Sequence, residues 1–132
     1  MITLSLLKLL ENNGFGTIDK SLFWGKMGLD DFGVYISEIG DAGIRGARRS
    51  IQYQLYSRGK NDVCAYKQLN EIVDYLNSQY GTCTLPRVRK PNGDTLSEGF
   101  GNVTIMPLST ITNAGQDTNG NTIYTAIGRI YY

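Results

Sequence analysis

Cys64 and Cys83 are the only thiols among 132 residues, and the chain has no histidine. A cysteine attacks as its thiolate and needs a base or a cation beside it to reach that state at neutral pH. Histidine is the usual base and the usual metal ligand, so its absence closes the commonest route to either chemistry. The apolar pattern after Asn61 puts Cys64 in the first turn of a helix and Cys83 just past its end. A helix of about five turns spans roughly 25 Å, whereas bridged cysteines need their Cα atoms within about 7 Å. Two reduced thiols with a packing role are therefore expected. No catalytic, cofactor-binding or metal-binding set emerges, and the chain reads as something other than an enzyme.

Two further stretches have the composition of a ligand loop. Gly40-Asp-Ala-Gly-Ile-Arg-Gly-Ala-Arg-Arg49 is spaced by glycines and basic toward its end. A phosphate cradle would need Lys-Ser/Thr after the glycines and a helix opening there, but a strand follows. The expectation is a flexible surface loop. Asp117-Thr-Asn-Gly-Asn121 resembles a calcium loop only superficially. Its glycine comes one step after Asn119 instead of two, and no glutamate follows to close the cage.

The charged side chains fall into groups. Arg45, Arg48 and Arg49 make one cationic set, Arg87, Arg89 and Lys90 a second, and Asp30, Asp31, Glu38 and Asp41 an acidic one. A nucleic-acid-binding module built on the two cationic sets is one reading. Cations without interleaved aromatics are a poor signal for it, and a net charge of +1 supplies no overall attraction to nucleic acid or anionic membrane.

The elements that must carry these groups follow from periodicity. At 14.6 kDa the chain suits one domain, residues 1–132, with one ordinary core. Ile51, Tyr53 and Leu55 alternate with Ser50, Gln52, Gln54 and Tyr56, the pattern of a half-buried strand over 49–57. After Asn61 or Asp62 as N-cap, Tyr66, Leu69, Ile72, Val73 and Leu76 recur at helical spacing, so a helix can fold back on that strand. An N-terminal helix carries Ile2, Leu6, Leu9 and Leu10, capped by Thr3 or starting at the terminus, and ends at Gly14. Strands are expected over 22–27 and 34–39, with Trp24 in the core. Residues 81–101, rich in glycine and proline, read as one long irregular segment. A strand over 102–112 contains Pro107, so it must lie at an edge or bulge. Asn119-Gly120 then turns the chain into a closing strand over 122–132. The fold class is α+β, a mostly antiparallel sheet of about five strands with two helices packed on one face. No run is long enough to cross a bilayer, and the N-terminus lacks a basic start and cleavage site, so a cytoplasmic product is expected.

Three stretches resemble the tail terminator proteins of long-tailed bacteriophages and the related phage minor capsid proteins. They are the strand-into-helix unit Ile51-Gln-Tyr-Gln-Leu-Tyr-Ser-Arg-Gly with Ala65-Tyr66 and Glu71-Ile-Val-Asp-Tyr-Leu76, the segment Val103-Thr-Ile-Met-Pro-Leu-Ser with Gly115-Gln-Asp and Asn119-Gly120, and the leucine-rich helix before a strand pair. The likeness lies in order, length and texture across nearly the whole chain. It implies a virion protein that forms a ring, usually of six copies, on the head-proximal end of a finished tail tube. Its partners would be other copies of itself, the tail tube protein and the head–tail connector, with DNA only as cargo passing through, no membrane and no cofactor. Another neck component, such as a head-completion protein, is the nearest alternative. A cyclic ring needs two different complementary surfaces on one subunit. The acidic set and the cationic set at Arg45, Arg48 and Arg49 are candidates, with Arg87, Arg89 and Lys90 as further subunit or tube contacts. On this reading Thr82–Gly101 is expected to be mobile until assembly orders it.

Overall fold

The computed structural model describes residues 2–28, 30–45, 48–79 and 81–132, with the backbone alone for 41–45. The elements run α1 (Ile2–Asn12), β1 (Leu22–Trp24), β2 (Gly33–Arg45), β3 (Arg48–Arg58), α2 (Asp62–Asn77), β4 (Cys83–Leu85), β5 (Val88–Arg89), β6 (Thr95–Ser97), β7 (Phe100–Ile105), β8 (Thr112–Gln116) and β9 (Thr122–Tyr131). Their order in the main sheet is β1-β2-β3-β9-β7-β4, with β8 also paired to β9. Only β1 and β2 run parallel. The class is α+β as expected, but the sheet has seven strands, not about five, and β5 and β6 form a separate two-stranded ribbon. The additional strands are short or polar: β4 has three residues, too few to display a two-residue period, and β8 is uncharged and exposed along its length.

The centre is β3 leading into α2. Ile51, Tyr53 and Leu55 are buried on one side of β3, and Leu69, Ile72, Val73 and Leu76 of α2 meet them in the core. Asn61 caps the helix, its side-chain oxygen accepting from the Cys64 amide at 2.9 Å. Ser57 donates to the Ala65 carbonyl at 2.7 Å, which folds the helix directly onto the strand it leaves. Leu6, Leu7 and Leu10 of α1 enter the same core, so both helices lie on one face. Phe15 N–H closes back on the Leu10 carbonyl, with Gly14 at φ 84° between them, the left-handed stop anticipated for α1. Thr3 lies inside α1 and is not its cap.

Several expectations need correction. Tyr66 is 45 % exposed, not in the strand-facing set, and its ring meets Tyr124 edge-on. Trp24 is 44 % exposed rather than core. The strand expected over 22–27 stops at Trp24, because Gly25 turns at φ 85°. The glycine-spaced stretch 40–49 is strand, not loop: β2 continues to Arg45 and β3 begins at Arg48, with 46–47 outside the described residues. Register shifts at Glu38/Gly40 and Asp41/Gly43 leave Ile39 and Ala42 as the extra residues of bulges beside the glycines, which hid the strand period. Residues 81–101 hold β4, β5, β6 and the start of β7, with Leu85, Val88 and Ser97 buried against the rest of the subunit. Ser97 and Ser5 share a buried hydrogen bond of 2.7 Å, so this segment is already folded onto α1 in the isolated chain.

The strand expected over 102–112 is instead two, β7 ending at Ile105 and β8 beginning at Thr112, with Pro107 in the gap between them. Between the pairs Thr104–Tyr131 and Thr112–Thr125 the outer chain advances eight residues while β9 advances six. The slack is taken up around the proline, which has no N–H to give the ladder. Met106 and Ser109 still donate to the carbonyls of Arg129 and Ile127, so β7 and β8 follow β9 as one track broken in the middle.

Candidate interaction surface

Side chains alternate across the sheet, and the helices take only one side. On the other side lie Gln52, Gln54 and Tyr56 of β3 beside Ile127, Arg129 and Tyr131 of β9, with neither α1 nor α2 above them. Tyr35 and Tyr56 stack there at 4.5 Å between ring centroids, nearly parallel, and the Tyr56 hydroxyl donates to Gln54 at 2.7 Å. Burial pushes the Tyr35 phenol above its ordinary pKa, reinforced by the neighbouring Tyr56. The face is therefore amphipathic, carrying Arg129 and with Ile127 exposed at its middle.

Arg48 stands at one corner of this face, and its guanidinium is used within the subunit. It donates to Thr104 Oγ1 at 2.9 Å, to the Tyr131 carbonyl at 3.0 Å and to the Asn102 carbonyl at 2.5 Å. The side chain thus ties β3 to β9 and β7. Arg49 points to the helix side, its guanidinium 5.8 Å from the centroid of the Tyr132 ring. It lines a cleft of about 680 Å³ with Ile2, Trp24, Glu38, Ile39 and Ile51 at the start of α1. Thr3 organises the mouth of that cleft. Its hydroxyl accepts from Trp24 Nε1 at 2.9 Å and donates to Glu38 at 2.7 Å, which explains a half-exposed tryptophan held in one place.

The acidic set does not form one patch. Asp30 and Asp31 precede β2, whereas Glu38 lies along it and Asp41 further on. At about 3.3 Å per residue, Asp31 and Glu38 are on the order of 20 Å apart along the strand. The side chains of Asp41 and Arg45 lie outside the described residues. Arg87 pairs with Glu98 at 3.3 Å on the exposed side of the ribbon. Arg89 and Lys90 are exposed at the ribbon's turn and border a second groove, with Leu4, Trp24 and Leu96. Trp24 thus belongs to both depressions.

At the far end of the sheet is a feature that motif reading passed over. Arg58, 6 % exposed, donates to the carbonyls of Asp31 (2.9 Å from Nε) and Gly28, and to Asp117 Oδ2 at 3.1 Å. The other carboxylate oxygen of Asp117 accepts from the amides of Asn119 and Asn121, each at 2.9 Å. These bonds, that to the Asn121 amide foremost, hold the Asp117 carboxyl below the usual aspartate pKa. The apparent calcium loop is thus a hairpin turn whose acid is committed to its own backbone and to Arg58. The only forewarning was an arginine at a strand end, which carries no motif.

The cysteines are free, with Cys64 exposed and Cys83 half-buried against the core. A packing role fits Cys83 but not Cys64. Burial raises the Cys83 thiol above its ordinary pKa, the opposite of an activated nucleophile. Among the described residues no group of three or more Cys, Asp or Glu side chains is placed to hold a metal, and no helix is long and apolar enough to cross a membrane. No protein-family model and no curated protein matches this chain.

Proposed function

We propose that the chain is a structural virion subunit that assembles into a ring, of six copies, at the head-proximal end of a phage tail tube. It ends tube growth there and offers the docking surface for the head connector. The observation that carries this reading is the helix-free face of the sheet. Gln52, Gln54, Tyr56, Ile127, Arg129 and Tyr131 lie there as a broad amphipathic surface suited to contact between subunits. The order of elements supports it as well: leucine-rich helix, strand pair, strand-into-helix unit and C-terminal hairpin come in the sequence of the tail terminators the chain resembles. Arg89 and Lys90 at the ribbon turn and Arg49 beside Trp24 are the exposed cations proposed to meet the tube or a neighbouring copy.

The test is tube growth. Purified tail tube protein polymerising from its initiation complex should stop when the chain is added, and electron micrographs should show one added ring at one end. Tube lengths that continue to grow at saturating concentrations of the chain would refute the role.

A further inference from the structure

The sheet has two free edges of different kinds at diagonally opposite corners. On β3, Arg49 exchanges both backbone hydrogen bonds with Tyr132, at 2.8 and 2.9 Å. By alternation Ile51, Tyr53 and Leu55 also spend theirs on β9. The residues facing them on β2, among them Ile44, Asp41 and Glu38, therefore turn their N–H and C=O groups away from β3. Strand β1 uses that side only as far as Ile36, whose carbonyl accepts from Gly25. On that outer side no described strand lies beside β2 from Ser37 to Arg45.

On the opposite flank β8 pairs with β9 alone, and all five of its residues are exposed and uncharged. On β9 it is Arg129 and Ile127 whose carbonyls point to the outer track, so Thr125 does the same and Tyr124 does not. Asn113, opposite Tyr124, accordingly has its backbone groups turned outward. An open edge of this sort is a template for another strand unless something blocks it.

We infer that β8 of one copy adds to the free half of β2 in the next, so that one sheet runs on from subunit to subunit. This rests on the ring reading above and specifies its contact. Joining two different edges is a head-to-tail interface, the kind a ring requires. An uncharged β8 can lie along Glu38, Asp41 and Arg45 without setting like charges opposite each other. Within one copy β8 runs antiparallel to β2, and Asn113 and Asp41 lie level with Ser57 and Ile51 of β3, about 20 Å apart along the strands. A rotation about an axis inclined to the strands therefore brings the two edges together antiparallel. The cleft bordered by Glu38, Ile39 and Trp24 leaves room beside the added strand.

The test uses the chain with Cys64→Ser and Cys83→Ala, into which Asp41→Cys or Asn113→Cys is introduced. Mixed and oxidised, the two variants should cross-link to a dimer that neither forms alone. A chain carrying both should give a ladder of cross-linked species ending at the ring size. In the unaltered chain, the amides of Asp41 and Asn113 should slow in hydrogen exchange on assembly. Rings without the mixed cross-link, or with both amides exchanging as in the monomer, overturn the edge pairing and leave the ring reading standing. Self-cross-linking of Asp41→Cys would do the same by showing a like-to-like edge. A chain that stays monomeric at every concentration, with and without tubes, overturns both.

Discussion

Arg58 Nη1 donates to Asp117 Oδ2 across 3.1 Å, joining the last residue of β3 to the turn between β8 and β9. The same guanidinium holds the carbonyls of Gly28 and Asp31, so one buried cation fixes three segments that are far apart in sequence. Lysine could not replace it, because a single ammonium lacks the planar fork that reaches several acceptors at once.

Replacing Arg58 with alanine should therefore lower stability by on the order of 3 kcal/mol, since it strands buried carbonyls and a carboxylate together. Arg58→Lys should recover only part of that loss. Urea unfolding of the three proteins checks both statements, and equal midpoints for all three would show that the guanidinium ties nothing.

The same knot predicts an acid response. Asp117 has its pKa lowered in the folded chain, so the unfolded chain binds its proton first as pH falls. The stabilisation is fully present above the ordinary aspartate value of about 4 and is lost as pH drops through the lower folded value. Asp117→Asn should thus melt below the parent at neutral pH, and the gap should close as the solution is acidified. Melting temperatures measured from neutral to acid pH decide it: a gap that widens toward acid contradicts the assignment.

Gly128 of β9 packs directly against the ring of Tyr53 on β3. A Cβ on Gly128 would lie 2.4 Å from both Cζ and the hydroxyl of Tyr53, which is fully buried and whose hydroxyl has no hydrogen-bond partner among the described residues. Burial drives that phenol's pKa upward, so it stays protonated throughout the working range. Gly128→Ala should destabilise strongly, by about 1–3 kcal/mol or more for overpacking. Tyr53→Phe should be neutral or stabilising by roughly 1 kcal/mol, because it removes an unsatisfied buried group. A large loss on Tyr53→Phe would mean that the hydroxyl has a partner.

Leu69 and Ile72 anchor α2 on the sheet with at most 1 % exposure. Alanine at either should cost about 2–5 kcal/mol in a chemical denaturation series. A loss of only a few tenths would place α2 off the core.

The strand-into-helix unit was legible because two periods, two and then 3.6, each persist long enough to be read, and Asn61 marks the junction. The C-terminal hairpin was legible from Asn119-Gly120 and from what Pro107 forbids. The outer half of β2 was not, because Gly40 and Gly43 interrupt alternation while bulges let the strand continue. Neither was β8, whose Thr-Asn-Ala-Gly-Gln has no apolar face and is held only by the neighbouring β9. Of the charged sets, Arg48 shows the limit most plainly. As a residue type it read as a surface cation, but its three acceptors come from residues more than fifty positions away. Reversing Arg48 to glutamate would disturb the β3–β9–β7 corner, so it is no clean probe of assembly.

The central claim is a closed ring of identical subunits, and mass measurement of the purified chain tests it most directly. Native mass spectrometry or mass photometry across a dilution series should find one assembled species of fixed stoichiometry, six copies, in equilibrium with monomer. Only monomer and dimer, or an open-ended series of masses that lengthens with concentration, would contradict the ring.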